Sequence, residues 1–242
     1  MKKWLIFGCL LLAIISGIIY LVDKGYLRFN YPSRLKYPIQ GIDISHHQSK
    51  INWDDLESED LDFIFIKATE GGDFVDVNFK ENWYKAIGHG YKVGAYHFYS
   101  FCKSGKIQGL NFINTVPYDS CALPPVIDLE FGANCKAKPV KKEFLLDLRE
   151  MVSILEDYYH KSPIFYVSLD FYDEFIAGEK FANKIWARNI LHKPRLSDGK
   201  PWTFWQFDNK GRINGIEKPV DMNVFFGNRE EFDKFVKQKI KK

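Results

Sequence analysis

The 242-residue chain lacks several features that would place it early. It has no internal repeat, no low-complexity run and no Cys-x-x-Cys pair, which excludes a solenoid, a biased disordered tail and the common zinc patterns. No sign of charge dominates: the formal net charge is +3, so there is no basic footprint for nucleic acid. Cysteine is scarce. Besides Cys9 there are Cys102, Cys121 and Cys135; an exported domain could close one disulfide among these three, and their spacing leaves the pairing open. Charge is absent altogether from Trp4 to Val22, a run preceded by Lys2 and Lys3. Its length favours a membrane anchor over a cleaved signal peptide, and no Ala-x-Ala site follows it. Lys24, Arg28, Arg34 and Lys36 lie beyond the run, so charge bias alone does not orient it. The expected organisation is an anchor or signal segment over 1–24, a tether over 25–37 and one domain over 38–242, with no second module.

Aromatic residues are abundant: 21 Phe, 13 Tyr and 6 Trp are enough to fill one large core, with a few left over as possible platforms for sugar rings. Apolar strand-like runs recur at 40–45, 62–69, 92–99, 124–130, 163–168, 184–189, 202–207 and 220–225. Segments with helical spacing separate them. The clearest is 140–160, where Phe144, Leu145, Leu148, Val152, Leu155 and Tyr159 recur three or four apart; 78–88 and 104–115 are shorter candidates. Eight strands alternating with helices predict an α/β fold, a single TIM-like parallel barrel. Its site would lie at the C-terminal ends of the strands, where Asp43, Lys67, Glu130 and Asp221 fall.

Asp128 and Glu130 close the run Pro-Pro-Val-Ile-Asp-Leu-Glu. Residues two apart on a strand share a face, so both carboxyls enter one small space. Neighbouring like charges cannot both ionise freely, so one holds its proton to higher pH and can act as a general acid beside a carboxylate. Glycosidases work with such pairs.

Six segments taken in order, Gly41-Ile42-Asp43-Ile44-Ser45-x-x-Gln48, Lys67-Ala68-Thr69-Glu70-Gly71, Gly94-Ala95-Tyr96-His97-Phe98-Tyr99, Asp128-x-Glu130, Trp205-Gln206-Phe207 and Val220-Asp221-Met222-Asn223, resemble the motifs of glycoside hydrolase family 25, the N,O-diacetylmuramidase (Chalaropsis-type) lysozymes. The resemblance covers about residues 38–228. It implies an irregular, flattened barrel and cleavage of the β-1,4 bond between N-acetylmuramic acid and N-acetylglucosamine. It also implies no metal or other cofactor, and peptidoglycan glycan strands as the partner of a monomer acting outside the cytoplasm. Glu130 would be the general acid. Asp128 would assist the substrate's acetamido group or a water, and Asp43 and Asp221 would support the pair.

Lys67 could offset the acids or bind substrate, with a plain salt bridge as its alternative. Tyr96, Tyr166, Trp186 and Trp205 could stack on sugars, and Gln206 could hydrogen-bond an N-acetyl group. His46, His47 and His97 raise a metal-dependent deacetylase as a rival, although adjacent histidines cannot both point into one site from a regular strand. A non-catalytic peptidoglycan-binding barrel is the other rival.

Overall fold

The computed structural model describes residues 2–28, 30–132, 135 and 139–240. Met1, Phe29, Lys241 and Lys242, which fall inside the expected segment bounds, lie outside the described residues, as do the side chains of Lys2 and Lys3. In chain order the elements are α1 (Lys2–Asp23), β1 (Gln40–Ile44), α2 (Trp53–Leu56), β2 (Phe63–Glu70), β3 (Phe74–Val75), α3 (Phe79–Gly88), β4 (Lys92–Phe98), α4 (Gly105–Thr115) and β5 (Val126–Leu129). They continue with α5 (Lys141–Tyr159), β6 (Ile164–Ser168), α6 (Leu169–Phe171), β7 (Ile185–Arg188), β8 (Phe204–Ile213), β9 (Ile216–Phe225) and α7 (Arg229–Lys237). The helices expected at 78–88, 104–115 and 140–160 are α3, α4 and α5, displaced by no more than a residue at either end.

The strands form one sheet in the order β1-β9-β8-β7-β6-β5-β4-β2-β3, and β1 also pairs with β2, which closes a barrel and leaves β3 as an appendage. Seven barrel strands run parallel; β9 runs antiparallel to both β8 and β1. That corrects the expectation of eight parallel strands. The reason is connection length: only Asn214 and Gly215, the latter at φ 83°, separate β8 from β9, whereas a parallel return needs a crossover of a dozen or more residues.

Alternation along the strands produces two apolar layers. Phe63, Phe65, Val126, Ile164, Trp186, Phe204 and Phe225 point into the barrel, where Phe232, Phe235 and Val236 of α7 join them. Ile64, Ile66, Ile127, Phe165, Val167, Trp205 and Val224 point outward beneath the helices. Two motif glycines make the inner layer possible. A Cβ at Gly41 would meet the Phe63 ring at 2.5 Å, and one at Gly94 the Phe65 ring at 2.5 Å. α7 is fixed by a reciprocal cap, Asn228 accepting from the Glu231 amide and Glu231 from the Asn228 amide.

The N-terminal helix needs a correction. Spanning a bilayer takes roughly 20 consecutive apolar residues; among the described residues no helix is long and apolar enough to cross a membrane. The membrane anchor expected over residues 4–22 is therefore unsupported, and the described apolar side chains of α1, from Trp4 to Leu21, lie mostly exposed. Arg28, Asn30 and Tyr31 behave differently, bonding to β8 at Phe207 and Asp208.

Candidate active site

The C-terminal ends of the strands surround a cavity of about 430 Å³. Asp43 of β1, Tyr96 of β4, Asp128 of β5 with Glu130 just beyond it, Tyr166 of β6, Gln206 of β8 and Asp221 of β9 all line it. Trp186 of β7 lines it too, stacked at 4.5 Å on Phe65 and edge-on at 4.7 Å to Tyr166. Trp186 is buried, so it forms the floor and offers no open platform. Ladder register explains the convergence: Asp43 lies opposite Asp221, Asp128 beside Tyr166, and Tyr166 beside Trp186.

Two hydrogen-bonded arms meet on one oxygen of Asp43. Trp186 Nε1 donates to Asn223 Oδ1 at 2.8 Å, and Asn223 Nδ2 donates to Asp43 Oδ2 at 2.7 Å. Tyr166 donates its hydroxyl to Gln206 Oε1 at 3.0 Å, and Gln206 Nε2 donates to the same Asp43 oxygen at 3.0 Å. Indole N–H only donates and carboxylate only accepts, so both amide orientations are dictated. Asp43 is thereby held rigidly as an acceptor.

Four carboxyls face one guanidinium, Arg188, in this space. Burial, then the charges of Glu130 and Asp43, carry Asp128 well above the ordinary carboxylate range. Burial also leads in raising Glu130, opposed by Arg188. Asp221 is pushed up to about 8 by burial and then by Asp43. Asp43 rises to about 6 through burial, restrained by the Asn223 and Gln206 hydrogen bonds. Both carboxyls of the pair are thus pushed toward the neutral acid, and Asp128 is the deeper of the two, with an Oδ1 buried without a hydrogen-bond partner. A neutral acid tolerates that position; a bare carboxylate does not.

Two of the anticipated residues fall elsewhere. Lys67 is buried, but it pairs with Glu70 at 2.8 Å and lies 5.0 Å from the Phe98 ring centroid, away from the cavity lining. Trp205 points outward: its Nε1 donates to the Asn189 carbonyl at 2.8 Å and its ring packs on Tyr37, Trp202 and Phe207. Adjacent strand residues face opposite ways, so Gln206 inside places Trp205 outside. Three residues of the site were not anticipated. Arg188 and Asn223 each lie two positions from an inward residue, Trp186 and Asp221, and the same alternation could have found them. Asn209 carried no such signal.

The histidines do not assemble. His46 Nδ1 meets Asp76 at 2.7 Å, His47 is exposed beside it, and His97, its pKa lowered to about 4 by burial, lies between Thr69 and Gln108. Among the described residues no group of three or more His, Cys, Asp or Glu could hold a metal ion. The disulfide joins Cys102, in the loop after β4, to Cys135, in the loop after Glu130; Cys9 and Cys121 are free and exposed.

Comparison with known proteins supplies independent observations. The model of the family "Glycosyl hydrolases family 25" matches residues 42–216. Lysozyme M1 of Streptomyces globisporus is 30% identical over 208 residues, covering 78% of this chain and 68% of that protein. The N,O-diacetylmuramidase of Arthroderma benhamiae is 28% identical over 212 residues, 82% of this chain and 87% of its own length. The solved structure of a family 25 glycosyl hydrolase from Bacillus anthracis superposes with a TM-score of 0.81 at 42% identity, covering 86% of this chain and 97% of that one.

Proposed function

The chain belongs to glycosyl hydrolase family 25 and is a glycoside hydrolase of the lysozyme type acting on peptidoglycan, and on that premise we propose that Glu130 is its general acid and Asp128 the residue that assists the substrate's own acetamido group. The bond cut is the β-1,4 link between N-acetylmuramic acid and N-acetylglucosamine.

The observation that carries this reading is the contrast within the pair: Asp128 is buried with a partnerless Oδ1, whereas Glu130 is more exposed at the end of the same strand. An orphan carboxyl oxygen on a residue of this cavity suits a substrate N–H donor. The pair titrates as one unit. An acetamido N–H donated to Asp128 favours the carboxylate there and leaves the shared proton on Glu130, where it can reach the glycosidic oxygen. The acetamido oxygen then attacks the anomeric carbon as the glycosidic C–O bond breaks and its oxygen leaves with the Glu130 proton; Asp128 stabilises the positive charge on the ring so formed, and a water that gives its proton to Glu130 opens that ring. Asp43, locked by Gln206 and Asn223, orients the sugar, and Asp221 tunes the charge of the pair.

The Cys102–Cys135 disulfide beside the site fits an oxidising, extracytoplasmic location.

The test is digestion of purified peptidoglycan by the full chain and by Glu130→Gln, with borohydride reduction and mass spectrometry of the new ends. Muramitol ends are expected from the wild type, with the rate of the variant lower by about 100- to 10,000-fold. Retention of anomeric configuration accompanies acetamido participation. Inversion would replace it with direct attack by water, and glucosaminitol ends or a fully active variant would overturn the assignment.

A further inference from the structure

Strand β8 does not keep its alternation past Gln206. Phe204 and Gln206 face inward, and Trp205 and Phe207 lie in the outer layer. A strict period of two would turn Asp208 into the cavity and Asn209 out of it. The opposite is found. Gln206 opposes Asn223 while Asp208 opposes Met222, two steps on β8 against one on β9, which is a bulge. Asp208 is consequently fully buried away from the cavity, and Asn209 lines it beside Asp221.

What holds the bulge comes from far away in the sequence. Arg28 Nε meets Asp208 Oδ1 at 2.7 Å, with both side chains at most 10% exposed. Tyr31 donates its hydroxyl to Asp208 Oδ2 at 2.8 Å, and its ring meets Phe207 edge-on at 5.0 Å. Asn30 Nδ2 donates to the Phe207 carbonyl at 2.9 Å. These contacts seize both residues of the bulge.

Asn209 lines the cavity, and its Oδ1 is buried without a hydrogen-bond partner. A buried amide oxygen without a donor is costly, and at the wall of a binding cavity a ligand can supply that donor. Resting on the reading of this cavity as the glycan site, we infer that Asn209 is a specificity-determining residue that accepts a hydrogen bond from the peptidoglycan strand, and that Arg28 is a positioning residue that holds it there through Asp208. The donor belongs either to the sugar or to an amide of the stem peptide.

The experiment compares kcat/KM of the full chain with that of Asn209→Ala, Arg28→Ala, Arg28→Lys and Tyr31→Phe, well below each melting temperature, on intact peptidoglycan and on peptide-stripped glycan strands. Asn209→Ala is expected to lose about 10- to 100-fold, the usual effect of an unmet buried acceptor. Loss on both substrates assigns the donor to the sugar, and loss on intact peptidoglycan alone assigns it to the stem peptide. A change below twofold on both overturns the inference. Arg28→Ala should reproduce the same substrate pattern at smaller amplitude, with Arg28→Lys restoring part of it. Tyr31→Phe, which leaves the ion pair in place, covers the case in which Arg28→Ala does not fold. Arg28 or Tyr31 variants that melt earlier yet keep wild-type kcat/KM on both substrates overturn the positioning role. Glu130→Gln is run alongside: if it is inactive while Asn209→Ala is unimpaired, only this inference falls, and if it stays active, both fall.

Discussion

The two ends of the barrel interior are built from opposite chemistry. At the end of the barrel where the parallel strands begin, Phe63, Phe65, Phe204 and Phe225 meet edge-on with ring centroids 5.2–5.5 Å apart. At the C-terminal ends, four carboxyls share one cavity with Arg188, and Asp128 holds an oxygen that nothing satisfies. The first arrangement stabilises the fold; the second costs stability. They are coupled, because the apolar floor keeps water away from the acids from below, and burial is the leading cause of the raised pKa of each. The lesson is that the acid chemistry rests on the hydrophobic floor as much as on the acids themselves.

Breaking the floor should have the largest effect. Phe65 is fully buried and stacked on Trp186, so Phe65→Ala is expected to lose about 3–5 kcal/mol in urea unfolding. Water admitted beneath Trp186 should also move the acid limb of the pH–rate profile toward ordinary carboxylate values. An unfolding loss under about 1 kcal/mol, or an unmoved profile, would separate floor from site.

The next test concerns the charged end alone. Folding raises Asp221 to about 8 and Asp43 to about 6, so over this range the native state holds protons that the unfolded chain releases. The stability they contribute is complete below about pH 4, near the unfolded carboxylate value. It is lost as pH rises through about 6 for Asp43 and about 8 for Asp221. The melting temperature should therefore fall between pH 4 and pH 8, and Asp221→Asn should flatten the upper part of that fall. A melting temperature that climbs across this range, or an unchanged slope in the variant, contradicts the electrostatic picture.

The smallest effect sharpens the contrast between inside and outside. Trp205→Phe removes the indole bond to the Asn189 carbonyl and should cost about 1 kcal/mol while leaving kcat/KM unchanged. A large fall in kcat/KM at unchanged stability would return Trp205 to the substrate.

Much of this was legible in the chain. Gly41 and Gly94 belong to motifs because Phe63 and Phe65 occupy the volume their side chains would need. Asp128 and Glu130 were paired by strand geometry, Asp43 and Asp221 by the resemblance, and the aliphatic and aromatic spacing of α5 fixed its extent. Trp205 was misread because a motif names neighbouring residues without saying which of them faces inward. Lys67 takes the salt bridge that the sequence left open as its alternative, with Glu70 three residues on, and its charge still opposes the rise of Asp128 and Glu130 from outside the cavity lining.

The sequence by itself determined which segments are strands and helices and which residues share a face, because these follow from steric rules acting over two to four residues. Only the tertiary structure decided the direction of β9, the choice of Cys135 over Cys121 for Cys102, the depth at which Asp128 is buried and the inward turn of Asn209. Each of these depends on burial, closure of the sheet or a contact such as Arg28 with Asp208, whose partners lie far apart in the chain and meet only when the barrel is complete.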